Sequence, residues 1–271
     1  MAYYEDALLD GDPGSFIAML DAYLPLNPYW SIYDDGFEGS GSAEFQRVYR
    51  CYDYAENCDF FFYVNNTYSD LAYVELWEGW DITTHSGVGS SLTGYAANAI
   101  RIGCTTGQIK LCVGNHRLIY VSAYWDGYYI GQPRRVDESK NIVLIAAHGN
   151  TPSTTTHNPI AYFISAASSD CRCLFDEGGG QSYIDHSNAL TYYNYLRKRI
   201  GGTYSVFEDR LINRTTELVI GWFDGVSSLG SADTVGNGLG RGDTVTVDGV
   251  SWILTDGVNA STKYLALVRQ D

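Results

Sequence analysis

The sequence predicts a mainly β protein, built from antiparallel sheets of the sandwich or barrel type, with a short N-terminal helix and one helix near residues 187–200. Short runs of aromatic and β-branched residues recur along the chain, as expected for strands. Turn-forming residues separate these runs at a regular spacing, which favours a sandwich or barrel over alternating strands and helices. Asp-Gly pairs at residues 248–249 and 256–257 indicate hairpin turns.

The N-terminal helix is predicted from one capping residue and a helical repeat of apolar residues. Ser15 follows the turn-forming residues 12–14 and is a typical N-cap. Pro25 is expected to end the helix. The apolar residues at helical spacing are Phe16, Met19, Leu20 and Tyr23. Residues 34–42 are acidic and rich in glycine and serine, so we expect a long exposed loop after the helix.

The strands are predicted in two groups, separated by the second helix. In the run that begins at Leu71, apolar residues alternate with aromatic and acidic ones, which predicts one face towards the core and an aromatic-acidic face outward. The first group comprises residues 46–52, 59–65, 71–78, 99–104, 108–113, 118–125, 142–147 and 160–166. The second group comprises residues 217–223, 244–247, 250–255 and 264–269.

The domain organisation follows from these elements. Residues 1–42 are predicted to form the N-terminal helix and an extended loop arm, and residues 43–182 a β-rich domain. Residues 183–271 add the second helix and the C-terminal hairpins, either as a separate unit or as part of one domain with residues 43–182. Gly201-Gly202 is expected to terminate that helix.

The charge of the chain argues against two classes of partner. With 17 basic and 32 acidic residues the net charge is −15, which is a poor match to nucleic acid or to an anionic membrane surface. No stretch approaches the ~20 apolar residues that span a bilayer. The first residues lack the basic and apolar regions of a signal peptide, so we expect the chain to fold in a cytoplasm.

Tyrosine usage is the most unusual feature of the composition. The chain has 23 Tyr, and its 17 basic residues are mostly Arg. Enrichment of Tyr and Arg together with scarcity of Lys is typical of protein–protein interfaces. Aromatic residues also fit pleated strands, so the same composition is equally consistent with ordinary β packing.

The six cysteines form three local pairs: Cys51 with Cys58, Cys104 with Cys112, and Cys171 with Cys173. The first two pairs flank predicted hairpins, where cross-strand disulfides are conceivable. No set of four zinc ligands has the usual spacing, and we expect no metal and no cofactor. Most of the cysteines are predicted to be free and buried.

Candidate catalytic residues are few. His148 ends an apolar strand and is the best acid–base candidate, but no partner residue is apparent and a structural role is favoured. The chain contains no Gly-x-Ser-x-Gly motif for a serine nucleophile. Oxygen ligands at Asp53, Glu56, Asn57 and Asp59 suggest calcium only weakly, because the order of a calcium-binding loop is absent. We therefore expect no enzymatic activity.

Aromatic and acidic residues near residue 78 suggest a different kind of site. Glu75, Glu78 and Asp81 alternate with Trp77 and Trp80, as in a cleft where rings stack on sugars and carboxylates act as acid and base. Ordinary cross-strand packing would give the same pattern. The alternative to an assembly protein is thus a carbohydrate-binding or glycan-hydrolysing module.

Four runs resemble structural proteins from the virions of tailed bacteriophages. They are YWSIYDDGF (residues 29–37), VYRCYD (48–53), VELWEGWD (74–81) and GDTVTVDGVSWI (242–253). The resemblance implies a tail, neck or head–tail junction component that works in a symmetric oligomer, with copies of itself and other virion proteins as partners. It also implies location in the virion, and it supplies no catalytic residue.

The candidate binding residues, for either an interface or a sugar, come from these runs. A receptor-binding part of a virion would combine the two functions. The residues are Trp77, Trp80, Glu75, Glu78, Tyr33 and Arg50.

Overall fold

The computed structural model describes residues 1–8, 13–35, 46–56, 58–68, 71–92, 100–104, 106–121, 127–132, 134–135, 144–148, 170–174, 181–185, 206–212, 219–229, 242–247, 249–254 and 265–269. Within these residues the chain is mainly β, with three antiparallel sheets and one short α-helix. The predicted fold class is therefore confirmed, as stacked open sheets rather than a closed barrel.

The helical and strand elements follow one another in chain order. They are β1 (Ala2–Leu8), α1 (Pro13–Tyr23), a 3₁₀ turn (Leu24–Leu26), β2 (Trp30–Asp34), β3 (Gln46–Asp53), β4 (Cys58–Tyr68), β5 (Leu71–Asp81), β6 (Ser86–Leu92), β7 (Ile100–Gly103), β8 (Gly107–Val113), β9 (Arg117–Val121), β10 (Gly127–Gly131), β11 (Arg134–Arg135), β12 (Leu144–His148), β13 (Asp170–Leu174), β14 (Gln181–Asp185), β15 (Val206–Ile212), β16 (Val219–Leu229), β17 (Thr244–Val247), β18 (Val250–Leu254) and β19 (Leu265–Arg269).

Three sheets are formed from these strands. The N-terminal sheet has the order β2-β3-β4-β5-β6, with β7 also paired to β5. The middle sheet has the order β1-β8-β9-β10-β12-β13-β14. The C-terminal sheet has the order β11-β16-β19-β18-β17, with β15 also paired to β16. Most neighbours are consecutive in sequence, as in meanders, but β1 crosses over to pair with β8.

Helix α1 begins at Pro13, two residues before the predicted cap at Ser15. Proline suits the first helical turn because it has no amide proton to leave unpaired there. Of the apolar residues at helical spacing, Phe16, Met19 and Leu20 are buried. Pro25 lies in the 3₁₀ turn that follows α1, so the α-helix does end where proline stops its continuation.

The main core lies between the N-terminal sheet, the middle sheet and α1. In β5, Ala72, Val74 and Leu76 are fully buried there, which confirms the predicted alternation of that run. The alternate residues Glu75 and Trp77 lie on the opposite face and are half-buried. We call that opposite side of the N-terminal sheet, turned away from α1, the outer face.

The turn between β8 and β9 joins the middle sheet to the N-terminal sheet through polar contacts. Each contact satisfies a polar group close to the buried core, where an unpaired one would destabilise the fold. The three contacts are Trp30 Nε1 to the Gly114 carbonyl at 2.9 Å, Cys51 Sγ to the Asn115 carbonyl at 3.2 Å, and His116 Nε2 to Asp53 Oδ2 at 2.8 Å.

The C-terminal sheet contacts the second face of the middle sheet. Gly225 of β16 is so close to that face that a Cβ atom there would lie 2.3 Å from the Met1 side chain and 3.0 Å from that of Ile119. Ile119 itself is fully buried. The middle sheet is therefore covered at this point by a different sheet on each side.

Eight of the described strands were not predicted from the sequence: β1, β2, β6, β10, β11, β13, β14 and β15. Residues 1–42 were predicted to contain a helix and a loop, yet β1 and β2 lie there. Asp34 was assigned to the exposed loop, but it ends β2 and its exposed fraction is 2%. The helix near residues 187–200, the strand at residues 160–166 and the Asp-Gly turn at residues 256–257 lie outside the described residues.

Cys51, Cys58, Cys104 and Cys112 are buried thiols, and no disulfide joins them. Burial raises the pKa of the Cys51 thiol well above its usual value, and the neighbouring Cys58 thiol raises it further. The prediction of free, buried cysteines is confirmed for these four. Cys171 and Cys173 lie in β13, and their side chains are outside the described part of the structure.

Two glycines with positive φ provide a test of the close contact between the end of β10 and the β8–β9 turn. Gly131 has φ +119°, and a Cβ there would lie 2.3 Å from the His116 carbonyl oxygen. Gly249 has φ +80° in the β17–β18 hairpin, with nothing within 4 Å of its Cβ position. We expect Gly249→Ala to lower the free energy of unfolding by about 1–2 kcal/mol, from backbone strain alone. Gly131→Ala should lose a further ~1–3 kcal/mol because the methyl group must displace backbone atoms.

Urea denaturation of the two variants and the wild type measures this difference. Equal midpoints for Gly131→Ala and Gly249→Ala would contradict the packing described for the β8–β9 turn.

Candidate functional site

The outer face of the N-terminal sheet brings together most of the candidate residues. Strand register sets two cross-strand rows on this face, in which the paired side chains stand side by side. The first row is Arg50, Phe61 and Trp77, and the second is Val48, Tyr63 and Glu75.

Two β-bulges lie at the edges of the same face. The register shifts in β2 between Ile32 and Asp34, so that Tyr33 is the extra residue. The pairing of β5 with β6 shifts as well, from Trp77–Ser91 to Gly79–Val88, and the extra residue there lies in β6, opposite Glu78. A bulge inverts the alternation of side chains beyond it and bends the strand. Asp34 therefore reaches the outer face, which its position in a regular alternation does not predict. Trp80 lies on the same face, where its ring stacks on that of Tyr63.

Arg50 is held in one orientation on the outer face. Its Nε and Nη2 atoms donate hydrogen bonds to the two carboxylate oxygens of Asp59, at 2.8 and 2.7 Å. This hydrogen bonding raises the pKa of Arg50 above its usual value. The guanidinium carbon lies 4.6 Å from the centre of the Tyr52 ring and 5.9 Å from that of Tyr33. We call Tyr33, Arg50, Tyr52 and Asp59 the tyrosine–arginine surface.

Part of the tyrosine–arginine surface faces solvent. Tyr52 is 43% exposed, and the side chains of Arg50 and Asp59 are 33% and 39% exposed. Tyr54, in the turn that follows β3, is 86% exposed. The exposed Tyr52 ring, whose centre is 4.6 Å from the ordered guanidinium carbon, leaves contact area available to another molecule.

A smaller group on the same face is buried, and we call it the aromatic cluster. It consists of Val48, Phe61 and Trp80, with Tyr33, Tyr63 and Trp77 packed against them. Tyr63 stacks on Trp80 with ring centres 5.2 Å apart, and Tyr33 meets Phe61 edge to face at 4.9 Å. Burial raises the pKa of Tyr63 to about 12. The face thus carries a second hydrophobic core, separate from the main one.

The carboxylate of Asp34 lies beside the aromatic cluster and accepts two hydrogen bonds. Trp80 Nε1 donates to Asp34 Oδ2 at 2.8 Å, and His85 Nδ1 lies 2.8 Å from the same oxygen. A buried carboxylate is stable only when such donors replace its lost water. His85 is also the only non-glycine residue among those described with a positive φ, at +50°.

Trp77 is held flat on the sheet by Glu75 and Gly87. Its Nε1 atom donates to Glu75 Oε2 at 2.9 Å. A Cβ atom on Gly87 would lie 2.0 Å from the indole ring, so the ring covers this glycine directly. Burial raises the pKa of Glu75, and the hydrogen bond from Trp77 offsets part of that rise.

The six candidate residues occupy different environments. Tyr33 and Arg50 belong to the tyrosine–arginine surface, whereas Glu75 and Trp77 lie further along the same face. Trp80 is 8% exposed and its indole NH is bound to Asp34, so neither ring face is open for stacking on a sugar in this conformation. Glu78 lies opposite the bulge of β6, with Oε2 2.9 Å from the Cβ position of Gly89.

Sequence reasoning missed Asp34, His85, Tyr52 and Asp59 as members of this site. The acidic residues after Tyr33 are typical of a loop, so nothing in them indicates that Asp34 is buried. The pairing of Tyr52 with Asp59 follows from the tight turn between the runs at residues 46–52 and 59–65, so the hairpin register was the signal that could have found these two. His85 is 51 residues from Asp34, and nothing local predicts their contact.

The oxygen ligands suggested for calcium do not face one site. Asp53 binds His116 on the inner side of β3, whereas Asp59 binds Arg50 on the outer face. Among the described residues, no three His, Cys, Asp or Glu side chains converge as metal ligands would. His148 is the last residue of β12, as predicted, and its side chain is not described.

Within the described part of the chain, no helix has the length and hydrophobicity needed to cross a membrane.

No protein-family model matches this chain, and no curated protein is significantly similar to it in sequence.

The half-buried carboxyl of Glu75 leads to a pH-dependent prediction. Because its pKa is higher in the folded than in the unfolded chain, its ionisation destabilises the fold as pH rises from the usual carboxyl pKa through the raised one. Glu75→Gln keeps an acceptor for Trp77 and removes this effect. We expect the stability of Glu75→Gln relative to wild type to be greater at about pH 7 than at about pH 4.

Urea denaturation at the two pH values tests this, and Glu56→Gln, in the exposed turn after β3, is the matched control for loss of one charge. A relative stability of Glu75→Gln that falls with pH, or stays constant, would refute the assignment.

Proposed function

We propose that this chain is a structural, assembly-forming protein of a tailed-bacteriophage virion. It acts through protein–protein interfaces in a symmetric oligomer of the tail, neck or head–tail junction. Its partners are copies of itself and other virion proteins, which it meets after folding in the host cytoplasm. The resemblance of four sequence runs to such proteins supports the virion, and the tyrosine–arginine surface supports the mode of action.

The tyrosine–arginine surface is the observation that carries the proposal. Tyr and Arg are among the residues that contribute most to binding energy at protein interfaces. The two hydrogen bonds from Arg50 to Asp59 already fix the guanidinium before a partner arrives. Less side-chain entropy is then lost on binding, which favours affinity.

The position of Tyr52 and Tyr54 supports the same reading. Both rings are exposed in the isolated chain. Each ring would bury a large apolar area against a partner, and that burial would stabilise a complex. One of the four runs that resemble virion proteins, residues 48–53, contains both Arg50 and Tyr52. The resemblance and the exposed surface therefore fall on the same strand.

The net charge of −15 affects how such subunits would associate. Two copies repel each other at long range, and added salt screens that repulsion. The ion pair of Arg50 with Asp59 lies within one subunit, so it does not need to be replaced across an interface. Association driven by tyrosine contacts should accordingly strengthen with ionic strength.

The assembly proposal is tested by measuring molar mass with light scattering over a range of protein and salt concentrations. We expect the wild type to form a defined oligomer, more completely at high salt. The double variant Arg50→Ala/Tyr52→Ala should weaken association at least about tenfold, because each residue is expected to exceed ~1 kcal/mol of binding energy. Leu26→Ala is the control, since Leu26 is 64% exposed in the 3₁₀ turn after α1 and is not one of the residues of this surface.

A wild type that stays monomeric under all these conditions would contradict the proposal. Equal association of the wild type and Arg50→Ala/Tyr52→Ala would reject this surface as the interface.

A second candidate function is sugar binding, and the geometry of Trp77 favours it. A flat indole fixed by Glu75 and supported by Gly87 is a rigid ring of the kind that stacks on carbohydrates. The expected result on a glycan array is binding that is lost in Trp77→Ala and kept in Trp252→Ala. Trp252 is the matched control because it is half-buried in β18, in another sheet. Absence of binding by the wild type would exclude this candidate.

A further inference from the structure

The tip of the β5–β6 hairpin folds back over the outer face, and we call residues 79–88 the arm. Tyr63 pairs with Glu75, five residues before Trp80. In a straight strand those five residues would separate Trp80 from the Tyr63 row by about 17 Å. The ring centres of Trp80 and Tyr63 are instead 5.2 Å apart. The arm therefore bends sharply and lies across the sheet.

Both strands of the arm contain features that allow a bend at its base. In β5, Glu78 stands opposite the bulge of β6, and the Cβ position of the next residue, Gly79, is 3.2 Å from the Val88 carbonyl oxygen. In β6, Gly89 has φ +83°. Glycine tolerates such backbone conformations, and bulges bend strands locally. The two strands of the arm can therefore change direction at the same level without strain on other residues.

The far end of the arm is fastened to the opposite edge of the sheet. β2 is one edge strand of the path β2-β3-β4-β5-β6, and Asp34 ends β2. Both hydrogen bonds that this carboxylate accepts in the described structure come from the arm, one from Trp80 and one from His85. One carboxylate oxygen thus ties together strands that are not neighbours in the sheet.

The arm is a thin cover. Beneath it, Val48 is fully buried and Phe61 is 6% exposed, although both lie on the outer face rather than in the main core. On the arm itself, Ile82 and Val88 are each 51% exposed. A segment that buries one large ring and exposes most other side chains has low local stability compared with a core strand.

We infer that the arm is a hinged flap, latched by Asp34, which opens over the aromatic cluster without unfolding the main core. In the closed state Trp80 completes the cluster. In the open state Val48, Phe61 and Tyr63 are exposed next to the tyrosine–arginine surface. The inference does not depend on the proposed assembly function, because it concerns one chain and its own hydrogen bonds.

Hydrogen exchange followed by mass spectrometry tests the flap on the full chain. Asp34→Ala removes both hydrogen bonds, and we expect exchange in residues 79–88 to become about ten- to thirty-fold faster. β8 and β9, which line the main core, should keep their wild-type protection. His85→Asn removes one hydrogen bond and keeps a residue that tolerates positive φ, so it should give a smaller increase in the same segment.

Asp53→Ala is the matched control, because it removes another buried carboxylate that binds a histidine, at the β8–β9 turn. It should leave exchange in the arm unchanged. Equal acceleration in the arm and in β8 and β9 for both Asp34→Ala and His85→Asn would overturn the inference, since the arm would not then open on its own. Unchanged exchange in the arm in both variants would overturn it as well. Neither result bears on the light-scattering test of assembly.

Discussion

The buried carboxylate of Asp34 determines how the outer face of the N-terminal sheet is organised. A carboxylate that is 2% exposed requires donors, and the arm supplies both that are described, from Trp80 and His85. Satisfying this charge places the Trp80 ring over Tyr63 and closes the aromatic cluster. The part of the face beyond the arm stays open, and there Arg50 and Tyr52 are presented to solvent. Burial of one charge therefore divides the face into a closed half and an exposed half.

The opposite side of the same sheet is fixed by different means. Apolar side chains of the two sheets and α1 form the main core, and the β8–β9 turn binds the sheet edge through polar contacts with Trp30, Cys51 and Asp53. Carbonyl groups of the turn accept two of these contacts, so the turn is held by its backbone conformation as much as by its side chains. A stable inner side is what allows a surface on the outer side to be rigid enough for recognition.

The sequence predicts the fold correctly where a local pattern determines the structure. It does not predict those parts of the site that depend on contacts between distant residues. The alternation in β5 placed Ala72, Val74 and Leu76 in the core correctly. Trp80 was expected to be a ring available to a sugar, but it is 8% exposed because the arm folds it onto Tyr63. The strand β2 was missed because Asp34 is polar, and its burial depends on donors 46 and 51 residues away. Bulges and long-range pairing leave no periodic signal in a single sequence.

The reactivity of the two buried thiols of β3 and β4 reports on how often the main core unfolds. Cys51 and Cys58 are buried side by side, and the raised pKa of Cys51 keeps it as the unreactive protonated form. An alkylating reagent can then reach these sulfurs only when the main core opens. The rate at which Cys51 of the native protein is alkylated consequently measures global opening of the core. Movements confined to the surface do not change this rate.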